Sequence, residues 1–158
     1  MSFCGIVSEY NPFHNGHEYQ VKRAREKTGA DFVVSVMSGQ FVQRGQPAIF
    51  DKYTRAACAI RGGIDAVIEL PLLSAVQSAE GFASGSVALL DAMGADGISF
   101  GCETDDIAQL SHIAATLAKE TRRFKRTLKQ HLSDGKSFPE ARMLAAFPEA
   151  PRQSGWLG

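Results

Sequence analysis

Short apolar runs alternate with longer stretches of helical period over the first two thirds of the chain. Phe3 to Ser8 is an apolar run of strand length, and Glu18 to Lys27 is a helix carrying Lys22, Arg23, Arg25 and Lys27 on its outer face, stopped by Thr28-Gly29-Ala30. Asp31 to Met37 is β-branched and apolar, as expected of a strand covered on both faces in a parallel sheet. A turn at Ser38-Gly39 and a loop through Gly45 and Pro47 follow. Asp51 then stands where a helix N-cap belongs, and that helix runs through Arg55, Ala56, Ala57 and Ile60 to Gly62-Gly63. Asp65 to Leu70 is a third strand closed by Pro71, Ser78 to Met93 a helix broken by Gly94, and Gly97 to Gly101 a fourth strand.

Strands alternating with helices at this spacing predict an α/β fold: a parallel sheet with right-handed crossovers, helices on both faces and a ligand crevice at the carboxyl ends of the strands. Four junctions converge there: the loop around His14, Ser38-Gly39, Glu69-Leu70-Pro71 and Gly101-Cys102-Glu103. From Asp105 the pattern is helical, over Ile107 to Leu117, Arg122 to Leu132 and Ser137 to Ala146. The expected organisation is therefore an α/β core over 1–104, a helical extension of the same domain over 105–147 and an irregular tail over 148–158.

Composition narrows the setting. The 158 residues are 44% apolar, enough for an ordinary core, and the formal net charge is zero, so any nucleic-acid contact must come from a local patch. Cys4, Cys58 and Cys102 are far apart, odd in number and lack metal-ligand spacing, which argues against a disulfide framework and for a reducing cytosol. With no leader pattern and no run of apolar residues long enough to span a bilayer, a cytoplasmic protein without membrane contact is expected.

The chemistry concentrates where the first strand enters the first helix. His14 and His17 lie three residues apart in the turn after Val7 and Ser8, with Pro12 and Gly16 shaping it. A helix N-terminus offers free N–H groups and a partial positive charge to an anion, and two imidazoles beside it could donate to phosphate oxygens. Taken alone, a His-x-x-His pair is more often incidental, or a fragment of a metal site, than a phosphate site. Neither His112 nor His131 lies near a strand end to complete a zinc site, so no protein-held metal is expected. A divalent ion carried by substrate phosphates remains compatible.

The string Gly5 to His17 resembles the His-x-Gly-His signature of the nucleotidylyltransferase superfamily, in the form seen in bacterial tRNA(Met) cytidine acetate ligases. Five further stretches match that family in order: Met37–Ala48, Asp51–Ala56, Ala66–Pro71, Ser78–Ala83 and Ser99–Glu103. The resemblance implies a Rossmann-like nucleotide-binding core. It implies a ligase that converts ATP to AMP and pyrophosphate, activating acetate as acetyl-adenylate for N4-acetylation of the wobble cytidine of elongator tRNA(Met). On it, His14 and His17 are the catalytic pair. The ATP site comprises Val7, Ser8, Glu9, Tyr10, Asn11, Pro12, Phe13, His14, Asn15, Gly16, His17, Glu18, Tyr19 and Gln20, with Gly101 at the adenosine end and Mg²⁺ accompanying the phosphates. The alternatives are an adenylyltransferase with another small acceptor and a nucleotide-binding module without turnover.

Other polar positions carry two readings. Arg44, Lys52 and Arg55 could neutralise phosphate or carboxylate, or Lys52 and Arg55 could be a solvated helix face; the resemblance favours the first. Asp51 is first a cap, though it could orient Arg55 or a magnesium-bound water. Ser38 and Gly39 could line the crevice, and Glu69, at a strand end, could be a structural ion pair or a substrate-positioning carboxylate. Glu80 and Glu103 share that ambiguity. Lys119, Arg122, Arg123, Lys125, Arg126 and Lys129 place six cations in eleven residues. Such a run is a solvated helical face or a phosphate track, and for a tRNA partner Arg122, Arg123, Lys125 and Arg126 would be the contacts. Phe124 within it could face the core or stack on a base.

Family members continue beyond this point through a Pro-Asn-Asn-like stretch and a later arginine-containing segment, where this chain reads Pro151-Arg-Gln-Ser-Gly-Trp-Leu-Gly158. The expectation is an apparently truncated N-terminal catalytic domain, in which pyrophosphate-side chemistry could survive without transfer to tRNA. The sequence leaves the oligomeric state open.

Overall fold

The computed structural model describes residues 1–102 and 106–148, and the chain divides into two compact units at Cys102. The first unit runs β1 (Phe3–Ser8), α1 (Asn15–Thr28), β2 (Phe32–Ser38), a 3-10 turn at Gln43–Gly45, α2 (Lys52–Arg61), β3 (Ala66–Leu70), α3 (Leu72–Ala75), α4 (Ala79–Ala92) and β4 (Gly97–Ser99). All four strands are parallel, in the order β3-β2-β1-β4. The chain steps outward from β1 to β3 and then crosses to the other side of β1. The reversal of direction, where open α/β sheets hold ligands, therefore lies between β1 and β4.

The period-two alternation of the central strands builds two cores. Cys4 and Ile6 of β1 and Val33 and Met37 of β2 pack with Val21 and Ala24 of α1 and Ala59 of α2. Val36 and Leu70 face the other way, onto Ala75 of α3 and Phe82 and Leu90 of α4. Each fully buried Val, Leu or Ile contributes about 1.5–3 kcal/mol relative to exposure. A methyl group at Gly5 would stand 2.6 Å from Leu90 Cδ2, so glycine there lets α4 lie directly on the middle strand. Gly29, in left-handed conformation (φ 63°), ends α1 and returns its N–H to the Arg25 carbonyl.

Three features depart from the sequence reading. β4 stops at Ser99, leaving Phe100-Gly101-Cys102 outside the ladder. The one-turn helix α3 follows Pro71 directly, and the 3-10 turn interrupts the loop before α2; both are too short for periodicity to register. Glu103 and the segment from residue 149 onward lie outside the described residues.

The second unit contains α5 (Ile107–Ala118), α6 (Arg122–Ser133) and α7 (Phe138–Ala146). Thr121 caps α6 by accepting the Phe124 N–H at 3.1 Å. α6 and α7 pack against each other, with Phe124 and Ala141 buried. Phe124 is thus a core residue rather than a stacking platform. No helix among the described residues is long and apolar enough to cross a membrane.

Candidate active site

His14 and His17 are held by the helix they introduce. His14 is the N-cap of α1, and its Nδ1 accepts the Gly16 N–H at 3.1 Å. His17 reaches back so that its Nδ1 accepts the His14 N–H at 3.2 Å. This is a capping box in which imidazoles replace the usual hydroxyl and carboxylate. The two rings stack with centroids 3.7 Å apart and planes 24° from parallel. An Nδ1 that accepts a hydrogen bond carries no proton, so each neutral ring bears its proton on Nε2, the nitrogen left for a ligand. Burial, and secondarily the neighbouring His14, lowers the pKa of His17 and favours this neutral form.

The loop between β1 and α1 is fixed from beneath. Tyr10 is buried to 1% exposure and adopts a left-handed backbone (φ 46°) unusual for a residue with a Cβ. Its ring meets Phe13 edge-on at 4.9 Å and His17 at 4.9 Å, and Phe13 lies 5.5 Å from His17. Burial raises the pKa of the Tyr10 hydroxyl. The Ser8 and Ser35 hydroxyls oppose that shift, but they bond each other at 2.8 Å and neither makes a well-formed hydrogen bond with the phenol. The Asn11-Pro12 peptide is cis. Glu9 accepts the Gln43 N–H and Asn11 the Ile49 N–H, each at 2.7 Å, tying this loop to the one after β2.

Arg55 departs from both of its sequence readings, since it neither faces the crevice nor forms a solvated surface. It is 1% exposed, and its guanidinium donates to the carbonyls of Glu9, Ser38, Gly39 and Phe50. It therefore clamps the C-terminal ends of β1 and β2 together. Five donors in a rigid fork suit a cluster of carbonyls that no lysine could serve. Burial lowers its pKa, opposed by the charges of Glu9, Asp51 and Glu69.

The neighbouring polar residues are largely engaged. Asp51 caps α2, accepting from Tyr53 N, Thr54 N and the Thr54 hydroxyl, which hold its carboxyl below the usual range. Lys52 Nζ pairs with Glu69 Oε2 at 2.6 Å, and this bond raises the pKa of the lysine. Glu69 lies so close over Gly39 that a methyl group there would overlap Oε1. Ser38 is fully buried, its hydroxyl without a partner among the described residues. Arg44 is exposed in the 3-10 turn with a left-handed backbone (φ 65°). Glu80 lies in the first turn of α4.

A cavity of about 450 Å³ opens above these elements, lined by Val7 to Pro12, His14, His17, Gln20 and Phe82. Gln20 donates to the Ser99 carbonyl at 3.2 Å, linking α1 to the end of β4 beside the switch point. Pro12, Asn15, Gly16, Glu18 and Tyr19 are exposed around the loop, and a Cβ on Gly101 would meet nothing within 4 Å. Sequence reasoning missed Phe82. It lies four residues after the α4 cap Ser78 and faces the sheet, a placement that the helical period of α4 could have signalled.

On α6, Arg122, Lys125, Arg126 and Lys129 are exposed and fall on one face at helical spacing, opposite buried Phe124. Lys125 pairs with Glu120 at 3.1 Å. A second cavity of about 350 Å³ in this unit is lined by Ala115, Phe124, Ala145 and Ala146 together with the polar side chains of His112, Thr116, Lys119, Thr121 and Arg123.

A parallel sheet with paired imidazoles capping the first helix beside the switch point is the arrangement of a nucleotidyl transferase. The HIGH nucleotidyl transferase family model matches residues 1–154, and the chain belongs to that family. Within it, the chain is 50% identical over 145 residues to the tRNA(Met) cytidine acetate ligases of Caldicellulosiruptor saccharolyticus and of Kosmotoga olearia, covering 92% of this chain and 36% and 34% of those proteins. The crystal structure of Thermotoga maritima TmcAL bound with alpha-thio ATP matches with a TM-score of 0.82 at 46% identity, over 94% of this chain and 36% of that one. Its apo form gives 0.83. The chain thus spans about a third of the length of these relatives.

Proposed function

We propose that the β1–α1 crevice binds ATP and activates acetate as acetyl-adenylate for acetylation of the wobble cytidine of elongator tRNA(Met). The observation that carries this reading is the committed Nδ1 of each imidazole, which leaves two Nε2–H donors at a helix N-terminus. Such donors follow the charge that develops on phosphate oxygens. An acetate oxygen attacks the α-phosphorus, the bond from that phosphorus to the bridging oxygen breaks, and pyrophosphate leaves. The cytidine N4 then attacks the acetyl carbonyl, losing a proton as AMP departs. No covalent protein nucleophile is required; His14 and His17 hold the phosphates in line and neutralise charge.

Phe82 and the apolar side of the loop exclude water from the intermediate. Arg44, which forms no ion pair among the described residues, is the further cation available to phosphate or acetate, and Lys52 joins it by exchanging its Glu69 partner for the ligand. Gly101 is open enough to admit the adenosine. No cluster of three metal-ligating side chains occurs among the described residues, so Mg²⁺ would be held by the phosphates and would supply charge neutralisation there. The α6 face of Arg122, Lys125 and Arg126, with Arg123 beside it, serves the tRNA backbone, and a tRNA partner fits a cytoplasmic protein. Acetate-dependent exchange of labelled pyrophosphate into ATP tests the reaction. Exchange with acetate alone supports it; folded protein that binds ATP yet gives no exchange contradicts it, and AMP transfer to another small acceptor would instead indicate a general adenylyltransferase.

A further inference from the structure

We infer that Gly62, which does not line the cavity, is a positioning residue for His17: its bare Cα admits the Phe13 ring, and Phe13 with Tyr10 fixes the imidazole. This rests on the reading of His17 as a phosphate donor. Gly62 follows α2 with φ −80° and ψ 7°, a conformation open to any residue, so backbone freedom does not require glycine there. Space does. A methyl group at Gly62 would come within 2.5 Å of Phe13 Cε1 and closer still to Cζ, so the ring would have to move. Phe13 packs edge-on against Tyr10 at 4.9 Å and lies 5.5 Å from His17. Tyr10, fully buried and itself 4.9 Å from His17, cannot yield outward. Displacement of Phe13 is therefore passed to His17, whose Nδ1 must stay on the His14 N–H for Nε2 to keep its aim. A misplacement of an ångström in a positioned group costs as much as about a hundredfold in function.

Gly62→Ala, Phe13→Leu and the double variant test the relay through the His17 imidazole proton resonances and ATP affinity by calorimetry, with the thermal midpoint as the fold control. In folded Gly62→Ala the His17 resonances shift, and ATP binds about tenfold more weakly. In the double variant both match Phe13→Leu alone, because without the ring atoms that collide Gly62→Ala has nothing to displace. Unmoved His17 resonances in folded Gly62→Ala, or a further change when Gly62→Ala is added to Phe13→Leu, overturn the inference. Should Gly62→Ala not fold, Phe13→Leu decides alone: it withdraws the ring that fixes His17, and a folded variant that binds ATP as tightly as wild type overturns the relay. A wild-type chain that does not bind ATP refutes the nucleotide reading, while the His17 resonances still decide the relay.

Discussion

The His17 ring stacks 3.7 Å from that of His14, and its Nδ1 accepts the His14 backbone N–H. One nitrogen of each histidine is structural and the other remains for a ligand. The two duties are separable by substitution, because asparagine places an acceptor oxygen where imidazole has Nδ1 and has nothing where it has Nε2.

Single replacements of His14 or His17 by alanine are therefore expected to destabilise the chain by about 1 kcal/mol each, the usual cost of a lost N-cap interaction. His14→Asn and His17→Asn should stay within a few tenths of wild type. Urea unfolding midpoints check both. Equal losses for the alanine and asparagine variants would show that Nδ1 does not carry the cap.

The lowered pKa of His17 sets the direction of a pH dependence. Above the unfolded pKa of about 6.5 both states hold the ring neutral and the native state keeps its full stability. As pH falls below that value the unfolded chain takes up a proton that the native ring resists, and stability declines until the pH passes the lower native pKa. Protonation also converts Nδ1 into a donor facing the His14 N–H. Unfolding free energy between about pH 7.5 and 5 should decline less in His17→Asn than in wild type; parallel profiles would contradict the assignment.

Much of this architecture is readable from the chain. Strands β1 to β3 show as apolar runs because both faces of the sheet are covered, and Asp51, Gly29 and the His14 turn mark helix ends by their own chemistry. Arg55 is misleading in sequence because its charge suggests a ligand or the solvent. Its spacing of one turn from buried Ala59 places it on the inner stripe of α2, but which carbonyls surround it depends on loops far apart in sequence. The double duty of the histidines is hidden for a similar reason: the spacing places them where the first strand enters the first helix, yet only the geometry shows that they cap it and which nitrogen each uses.

Arg55→Met should cost at least about 3 kcal/mol, since it removes the shared donor of several buried carbonyls, each worth roughly 1–3 kcal/mol when left unsatisfied. Thermal and urea unfolding measure this. A near-neutral effect would mean that the clamp does not hold the ends of β1 and β2.

The α6 face predicts a salt signature. Replacing Arg122, Lys125, Arg126 and Lys129 by glutamine should weaken tRNA binding and reduce the slope of log affinity against log salt, by up to about 0.7–0.9 for every phosphate that is no longer neutralised. Helicity should persist, because Phe124 and the Thr121 cap are untouched. An unchanged slope would reduce this face to a solvated surface.

The most direct test of the account is calorimetric titration of ATP into wild type, His14→Asn and His17→Asn, each shown to be folded by its unfolding midpoint. The wild type is expected to bind, and both variants to lose at least about tenfold in affinity, equivalent to about 1.4 kcal/mol, with stability unchanged. Folded asparagine variants that bind ATP as tightly as wild type would contradict the assignment of the two Nε2 donors to the nucleotide.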